Sequence, residues 1–201
     1  MPTARCIHSV VSLRSALIVA GGQVRNSDYS NAVEIFKAEE GQWYRTKSLP
    51  VHVFNMSMAV LQDTCYVVGG YRDESLCQVY SASITDLLSN AIPATQEACG
   101  DESQSVWTML PSTPNSQPAA VALAGKLLTI AGGSVPTNKE QSAVYVYSPS
   151  SGTWDHVGDL PAAREICTAI AVSPLEILVI GGRAQNDDKN TVFLGRLQLF
   201  P

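Results

Sequence analysis

The chain has 201 residues, 45% of them hydrophobic and 15% charged, so it is long and apolar enough to fold around its own core. Its 13 basic and 18 acidic side chains give a net charge of −5 without any block of like charges, which argues against binding to nucleic acid or to an anionic membrane. The longest apolar runs, such as 16–20 and 177–180, end at glycine pairs and are far short of the ~20 residues that span a bilayer, so a soluble chain is expected.

Four hydrophobic segments follow one another along the chain, and each ends in a pair of glycines. The pattern predicts a β-strand before each pair. The pairs are Gly21-Gly22, Gly69-Gly70, Gly132-Gly133 and Gly181-Gly182. They recur at intervals of roughly 50 residues, with a longer second interval, and such a period indicates a repeat of supersecondary units.

Further residues recur in a fixed order within each unit. An aromatic residue precedes a tryptophan at the same interval in two units, as Phe36 precedes Trp43 and Tyr147 precedes Trp154. Trp107 is the third tryptophan, and each tryptophan is followed by a Leu-Pro pair, at 49–50, 110–111 and 160–161. Small apolar stretches such as 119–123 and 168–172 complete the unit, which therefore contains four short strands separated by turns.

This ordered pattern resembles the kelch repeat over essentially the whole chain. The resemblance implies an all-β fold, a kelch-type β-propeller of about four blades, each a four-stranded antiparallel sheet packed around a central channel. The glycines are then expected to permit turns with φ values closed to other residues. The tryptophans are expected to pack each blade against its neighbour.

We place the first blade at 3–50, the second at 51–111 with an insertion at 81–105, the third at 112–161 and an incomplete fourth at 162–201. Within the insertion, 85–88 is expected to form a short amphipathic turn and 96–104 a polar loop. Residues 1–5 match residues 160–164 position for position, so we interpret the chain as a fragment of a ring of six or seven blades. An open edge and an apolar blade face would then favour self-association. A closed four-bladed ring is the alternative.

The sequence shows no catalytic or metal-binding motif. Five cysteines form no C-x-x-C pair and are interpreted as reduced, which favours a cytoplasmic setting. The three histidines have no metal-ligand spacing, and phosphate-binding and serine-nucleophile motifs are absent. We therefore expect no enzyme activity, cofactor or metal. A propeller enzyme or carbohydrate-binding domain of the galactose oxidase type is the alternative.

One end of the propeller collects the loops that follow the glycine pairs, 23–31, 71–75, 134–142 and 183–190, and the links between blades around 2–5, 50–53, 111–117 and 161–165. We call this end the post-glycine face. In Kelch-like adaptors of cullin ubiquitin ligases, the similarly placed face holds the substrate peptide. The candidate partner-binding residues on it are Arg5, Arg25, Tyr29, His52, Tyr71, Arg72, Arg164 and Arg183.

Five of these candidates are arginines, whose planar guanidinium suits carboxylates. The sequence therefore predicts a protein or peptide ligand of acidic character. It predicts a protein-interaction module, such as the substrate-recognition part of a ubiquitin-ligase adaptor or of another multidomain signalling protein. The same loops contain five carboxylates, so the alternative is that these neutralise the arginines: Asp28, Asp73, Glu74, Asp187 and Asp188.

Overall fold

Four antiparallel sheets, arranged as the blades of a propeller, account for most of the described chain. The structure is a computed structural model that describes residues 1–13, 15–25, 28–95, 105–134, 139–185, 187–188 and 190–197. The prediction of an all-β propeller is confirmed by these sheets.

The first two blades follow the predicted order of strands. The first contains β1 (Ser9–Leu13), β2 (Ala16–Ala20), β3 (Val33–Lys37) and β4 (Gln42–Arg45). The second contains β5 (Ser57–Leu61), β6 (Thr64–Arg72), β7 (Glu74–Ser83) and, after an insertion with α1 (Ile84–Ser89) and β8 (Ile92–Pro93), β9 (Thr108–Leu110). The strands form because β-branched and other apolar residues alternate with polar ones between tight turns.

The third and fourth blades differ in completeness. The third contains β10 (Asn115–Ser116), β11 (Ala119–Leu123), β12 (Lys126–Ser134), β13 (Glu140–Ser148) and β14 (Thr153–Arg164). The fourth contains β15 (Thr168–Ser173), β16 (Glu176–Ile180), the short β17 (Arg183–Ala184) and β18 (Asp187–Asp188), and β19 (Val192–Arg196). Its main sheet has the order β15-β16-β19, so the described fourth blade has three long strands where the others have four.

The insertion in the second blade packs against the first blade. Ser83 caps α1 by accepting a hydrogen bond from the Asp86 N–H at 3.4 Å, and Ile84 and Leu87 are buried in the core between the two blades. β8 pairs with β4, which gives the first sheet a fifth strand. The expected turn at 85–88 is therefore a short helix, whereas 96–104 lies outside the described residues.

Apolar side chains fill the spaces between neighbouring blades. Separate clusters lie between the first and second blades, between the second and third, and between the third and fourth. The inner strands β1, β5, β11 and β15 contact one another in that order, and among the described strands β15 makes no comparable contact with β1. The described blades thus form an open arc, and not the closed four-bladed ring that was the alternative.

Candidate functional site

Three aromatic side chains at the post-glycine face connect the first and second blades. Tyr29 lies in the connection between β2 and β3, Phe54 in the link to β5 and Tyr71 near the end of β6. The rings of Tyr29 and Phe54 stack with centroids 4.8 Å apart, and those of Phe54 and Tyr71 meet edge to face at 5.4 Å. We call these three residues the aromatic cluster. All three residues are half-buried, so each leaves part of its surface open to a ligand.

Backbone hydrogen bonds hold the aromatic cluster in place. The Tyr71 N–H donates to the Phe54 carbonyl at 2.8 Å, and the Phe54 N–H donates to the Tyr71 carbonyl at 3.2 Å. The link that carries Phe54 is also tied to the first blade, because the Gly22 N–H donates to the Val53 carbonyl at 2.8 Å. The cluster therefore rests on a rigid part of the fold, as a preorganised binding surface requires.

Exposed polar side chains border the aromatic cluster. His52 is exposed, and its Nδ1 lies 2.6 Å from the Tyr29 carbonyl; because a carbonyl accepts, Nδ1 carries the proton. Arg72 is exposed directly after Tyr71, and Arg25 is exposed in the same connection as Tyr29. Neither arginine has an ion-pair partner among the described residues. The border therefore presents two guanidinium groups that a ligand can pair with.

Two of the predicted partner-binding arginines are buried, and the prediction of a binding role for them is wrong. The Arg5 side chain has no exposed area; it donates to the carbonyls of Gly21 and Ala32 at 2.8 Å and forms an ion pair with Glu34. Arg164 is 1% exposed and donates to the Gly181 carbonyl at 2.6 Å. Its guanidinium also lies over the Phe193 ring. Both side chains satisfy backbone acceptors inside a blade, so neither reaches a partner.

The third blade uses an asparagine where the first and fourth use these arginines. The Asn115 Nδ2 donates to the carbonyl of Ala131. Ala131 has a φ of 57°, close to the 59° of Gly21 and the 65° of Gly181. Gly132 then matches Gly22. We call two consecutive residues with positive φ a left-handed pair; in the third blade this pair is Ala131-Gly132, which begins one residue earlier than the glycines indicate. The prediction that Gly132-Gly133 forms this pair is therefore wrong by one residue.

Arg183 lies apart from the aromatic cluster. It is exposed in β17 of the fourth blade, and its backbone exchanges two hydrogen bonds with Glu165. Phe54 and Tyr71 make the same kind of bridge in the second blade, so Arg183 holds the position that Tyr71 holds two blades earlier. The structure therefore gathers Arg25, Tyr29, His52, Tyr71 and Arg72 around the first two blades and leaves Arg183 as a separate group.

Sequence reasoning missed Phe54, the central ring of the cluster. Its position in the link before β5 is equivalent to Cys6 in the first blade and Glu165 in the fourth, since each pairs with a residue just beyond the left-handed pair. The signal that could have found it is an aromatic residue two positions after the predicted candidate His52, in a link expected at the post-glycine face.

Two of the three tryptophans form hydrogen bonds that join neighbouring blades. The Trp107 indole N–H donates to the Lys47 carbonyl of the first blade at 3.1 Å, and the Trp154 indole N–H donates to the Pro111 carbonyl of the second at 3.0 Å. Trp43 packs on Phe36 with centroids 5.2 Å apart. The hydrogen bonds of Trp107 and Trp154 position the blades, and through them the loops of the post-glycine face.

The remaining reactive groups do not form a site in the described structure. Cys6, Cys65, Cys77 and Cys167 are free thiols, and burial raises the pKa of Cys65 to about 12. Burial also raises the pKa of Cys77 and of Cys167. Within the described residues, no three His, Cys, Asp or Glu side chains are grouped as metal ligands. No helix in the described ranges is long and apolar enough to cross a membrane.

Comparisons with known proteins agree with this architecture. The model of the KLHDC2/KLHL20/DRC7 Kelch-repeats domain matches residues 1–182. Kelch-like protein 24 of Rattus norvegicus is 29% identical to the chain, over 93% of the chain and 35% of that protein. Kelch-like protein 41b of Danio rerio is 25% identical, over 94% and 29%. Kelch repeat and BTB domain-containing protein 1 of Cowpox virus is 27% identical, over 75% and 24%. The chain thus spans about a third or less of the length of these relatives.

Proposed function

Because the chain belongs to the Kelch-repeat domain family, we propose that it is a protein-interaction module that binds a protein or peptide ligand on its post-glycine face. The observation that carries the proposal is the aromatic cluster with two exposed arginines, Arg25 and Arg72, at its border. In this role the chain binds and does not catalyse.

The chemistry of the surface favours a ligand with a carboxylate beside an apolar or aromatic group. Half-buried aromatic rings offer large contact area at little cost in side-chain entropy. Arg25 and Arg72 supply forked donors for carboxylates. Asp28, Asp73 and Glu74 lie nearby but form no ion pair with either arginine among the described residues, so the guanidinium groups remain available for an acidic segment.

We extend the proposal to a role within a larger protein. The chain would serve as the substrate-recognition part of a multidomain protein in the cytoplasm, such as a ubiquitin-ligase adaptor. Two observations support this extension: the relatives are about three to four times as long as the matched region, and one of them is named as containing a BTB domain.

The proposal is tested by affinity capture from a cell lysate, followed by identification of the bound proteins. The variant is the double substitution Arg25→Ala and Arg72→Ala, and the control is Arg45→Ala, which removes an exposed arginine from β4. We expect the double variant to lose a specific subset of the bound proteins that wild type and the control retain. The same subset should weaken as salt rises, since part of the attraction is long-range.

Two results would contradict the proposal. One is an identical set of bound proteins for all three forms. The other is equal loss of binding in the double variant and in Arg45→Ala, which would indicate a non-specific charge effect. Melting curves of the three forms should agree, because substitutions of exposed residues usually change stability by less than about 0.5 kcal/mol.

A further inference from the structure

A groove lies between the first two blades, at the end of the propeller opposite to the post-glycine face. Consecutive strands of an antiparallel blade leave it alternately at the two ends, so the turns β1–β2, β3–β4 and β5–β6 emerge together at this end. These turns and α1 line a cavity of about 720 Å³, a volume typical of ligand-binding pockets. We call it the opposite-face groove.

The groove depends on an element that the described parts of the other blades lack. α1 is the only helix among the described elements, and it belongs to the insertion of the second blade. In the third blade the equivalent connection, between β13 and β14, is the short turn 149–152. The groove therefore does not follow from the repeat that builds the fold.

Hydrogen bonds fix the walls of the groove. The Ile84 N–H donates to the Asp63 carbonyl at 2.9 Å, and the Thr85 hydroxyl donates to Asp63 Oδ2 at 3.1 Å. The end of α1 is held to the first blade, because the Thr46 hydroxyl donates to the Leu87 carbonyl at 2.6 Å. The groove is thus preorganised, which lowers the entropic cost of binding a ligand.

Apolar side chains form the floor of the groove. Leu13 and Ala16 of the first blade are half-buried, and they pack against the buried cluster between the first two blades, to which Ile84 belongs. Leu88 of α1 is 37% exposed and also lines the groove. An apolar side chain of a ligand would therefore bury surface on both sides of the groove.

Carboxylates outnumber cations among the described residues that line the groove. Lys37 forms an ion pair with Glu40 at 3.1 Å, so these two charges compensate each other. Glu39 and Asp63 are exposed, and neither forms an ion pair with a described residue. The groove thus places two uncompensated negative charges beside an apolar floor, the reverse of the arginine-bordered aromatic cluster.

We infer that the opposite-face groove binds a segment of a protein in which a lysine or arginine lies next to an apolar side chain. The basic group pairs with Glu39 and Asp63, and its aliphatic stem lies along Leu88. The apolar neighbour packs on Leu13 and Ala16. An acidic segment is repelled by the same carboxylates, so the groove and the post-glycine face take different ligands.

The probe is selected from a display library of short random peptides on the immobilised double variant Arg25→Ala and Arg72→Ala. That variant removes the charges proposed to bind acidic ligands, so failure of the proposed function leaves this test unaffected. We expect a class of peptides rich in lysine or arginine and in leucine or isoleucine. A selection that yields no such class would overturn the inference.

Charge variants show where a selected basic peptide binds, with its affinity measured by fluorescence anisotropy. Glu39→Gln should weaken binding about two- to fivefold, the usual contribution of one exposed ion pair, and Glu39→Lys at least about tenfold. Glu74→Lys, the matched change of an exposed carboxylate on the post-glycine face, should leave the affinity within about twofold. Equal effects of Glu39→Lys and Glu74→Lys would indicate non-specific attraction to an acidic protein and would overturn the inference.

A second matched pair tests the apolar contact. Leu88→Ser removes the apolar wall that α1 contributes, and Met109→Ser removes an exposed apolar side chain from β9. We expect Leu88→Ser to weaken peptide binding at least about fivefold, because buried apolar area is lost, and Met109→Ser to change it less than about twofold. Equal affinity of these two variants would overturn the inference. If melting curves show that Leu88→Ser disturbs the fold, the Glu39 variants, which change an exposed turn, decide the test.

Discussion

Arginine has two opposite roles on the post-glycine face. Arg5 and Arg164 are buried and complete hydrogen bonds inside their blades, whereas Arg25 and Arg72 are exposed. The sequence contains a signal for this difference, because Arg5 and Arg164 each lie three residues after a proline, at the same position of two repeats. A residue that recurs at one repeat position serves the fold common to the repeats, whereas Arg25 and Arg72 have no such counterparts.

The buried role of Arg5 predicts a large loss of stability when it is removed. Arg5→Ala leaves the buried Glu34 carboxylate without its counter-ion and with only the Thr3 hydroxyl as a donor, and breaking a buried pair in this way costs about 3 to 5 kcal/mol of unfolding free energy. Arg25→Ala, the matched surface change, should cost less than about 0.5 kcal/mol. Thermal melts of the two variants provide the measurement. Similar midpoints would show that Arg5 does not act as an internal residue.

The tryptophans should differ in their contribution to stability. Trp107 is 6% exposed and donates its indole N–H to the first blade, so Trp107→Ala should destabilise by about 3 to 5 kcal/mol. Trp154 is only half-buried, so Trp154→Ala should cost distinctly less. Denaturant unfolding followed by circular dichroism compares them. A larger loss for Trp154 would contradict the packing described for these two residues.

At the scale of single elements, the strands were largely predictable and their turns were not. The hydrophobic segment that ends at Gly181-Gly182 was predicted as a strand and forms β16, because a short apolar run bounded by turn residues is typical of a buried strand. The left-handed pair at Ala131 was missed because an alanine occupies a position where the other blades have glycine. The pairing of β8 with β4 was also unpredictable, since a two-residue strand has no periodicity and its partner is distant in sequence.

The offset of the third turn predicts unequal effects of two adjacent substitutions. Gly132 has a φ of 102°, and a Cβ there would lie 2.3 Å from the Ser116 carbonyl oxygen, so Gly132→Ala should cost at least about 2 kcal/mol. A Cβ on Gly133 would meet only the Ser116 hydroxyl at 2.9 Å, so Gly133→Ala should cost less than about 1 kcal/mol. Urea midpoints measure both. The reverse order would restore the Gly132-Gly133 pair inferred from sequence.

At the scale of the whole molecule, the repeat made the fold predictable but left the binding surface undetermined. Each repeat specifies its own blade through local patterning, and so the propeller followed from the sequence. The aromatic cluster depends on how two blades meet, because Tyr29 and Phe54 belong to different repeats. Burial of Arg5 likewise depends on a contact with Glu34 across the sheet. Such contacts between distant residues have no local signature.

The open arc predicts that the isolated chain exposes apolar surface and self-associates. Leu194 is 66% exposed on the fourth blade and Val10 is 45% exposed on the first, and other apolar side chains accompany them on both blades. Light scattering and binding of a hydrophobic dye test this expectation. Replacing the exposed Ile170 and Val172 by lysine should reduce both signals. A wild-type monomer without dye uptake would contradict the open arrangement.

The central claim is that the chain binds its partner through the aromatic cluster and the arginines that border it. Hydrogen–deuterium exchange of the chain, alone and in complex with the most abundant protein captured by the wild type, tests this claim most directly. The account predicts slower exchange in the peptides that contain Tyr29, Phe54 and Arg72, with little change in α1 and β8 at the opposite end. Protection confined to α1 and β8, with no change around Phe54, would contradict it.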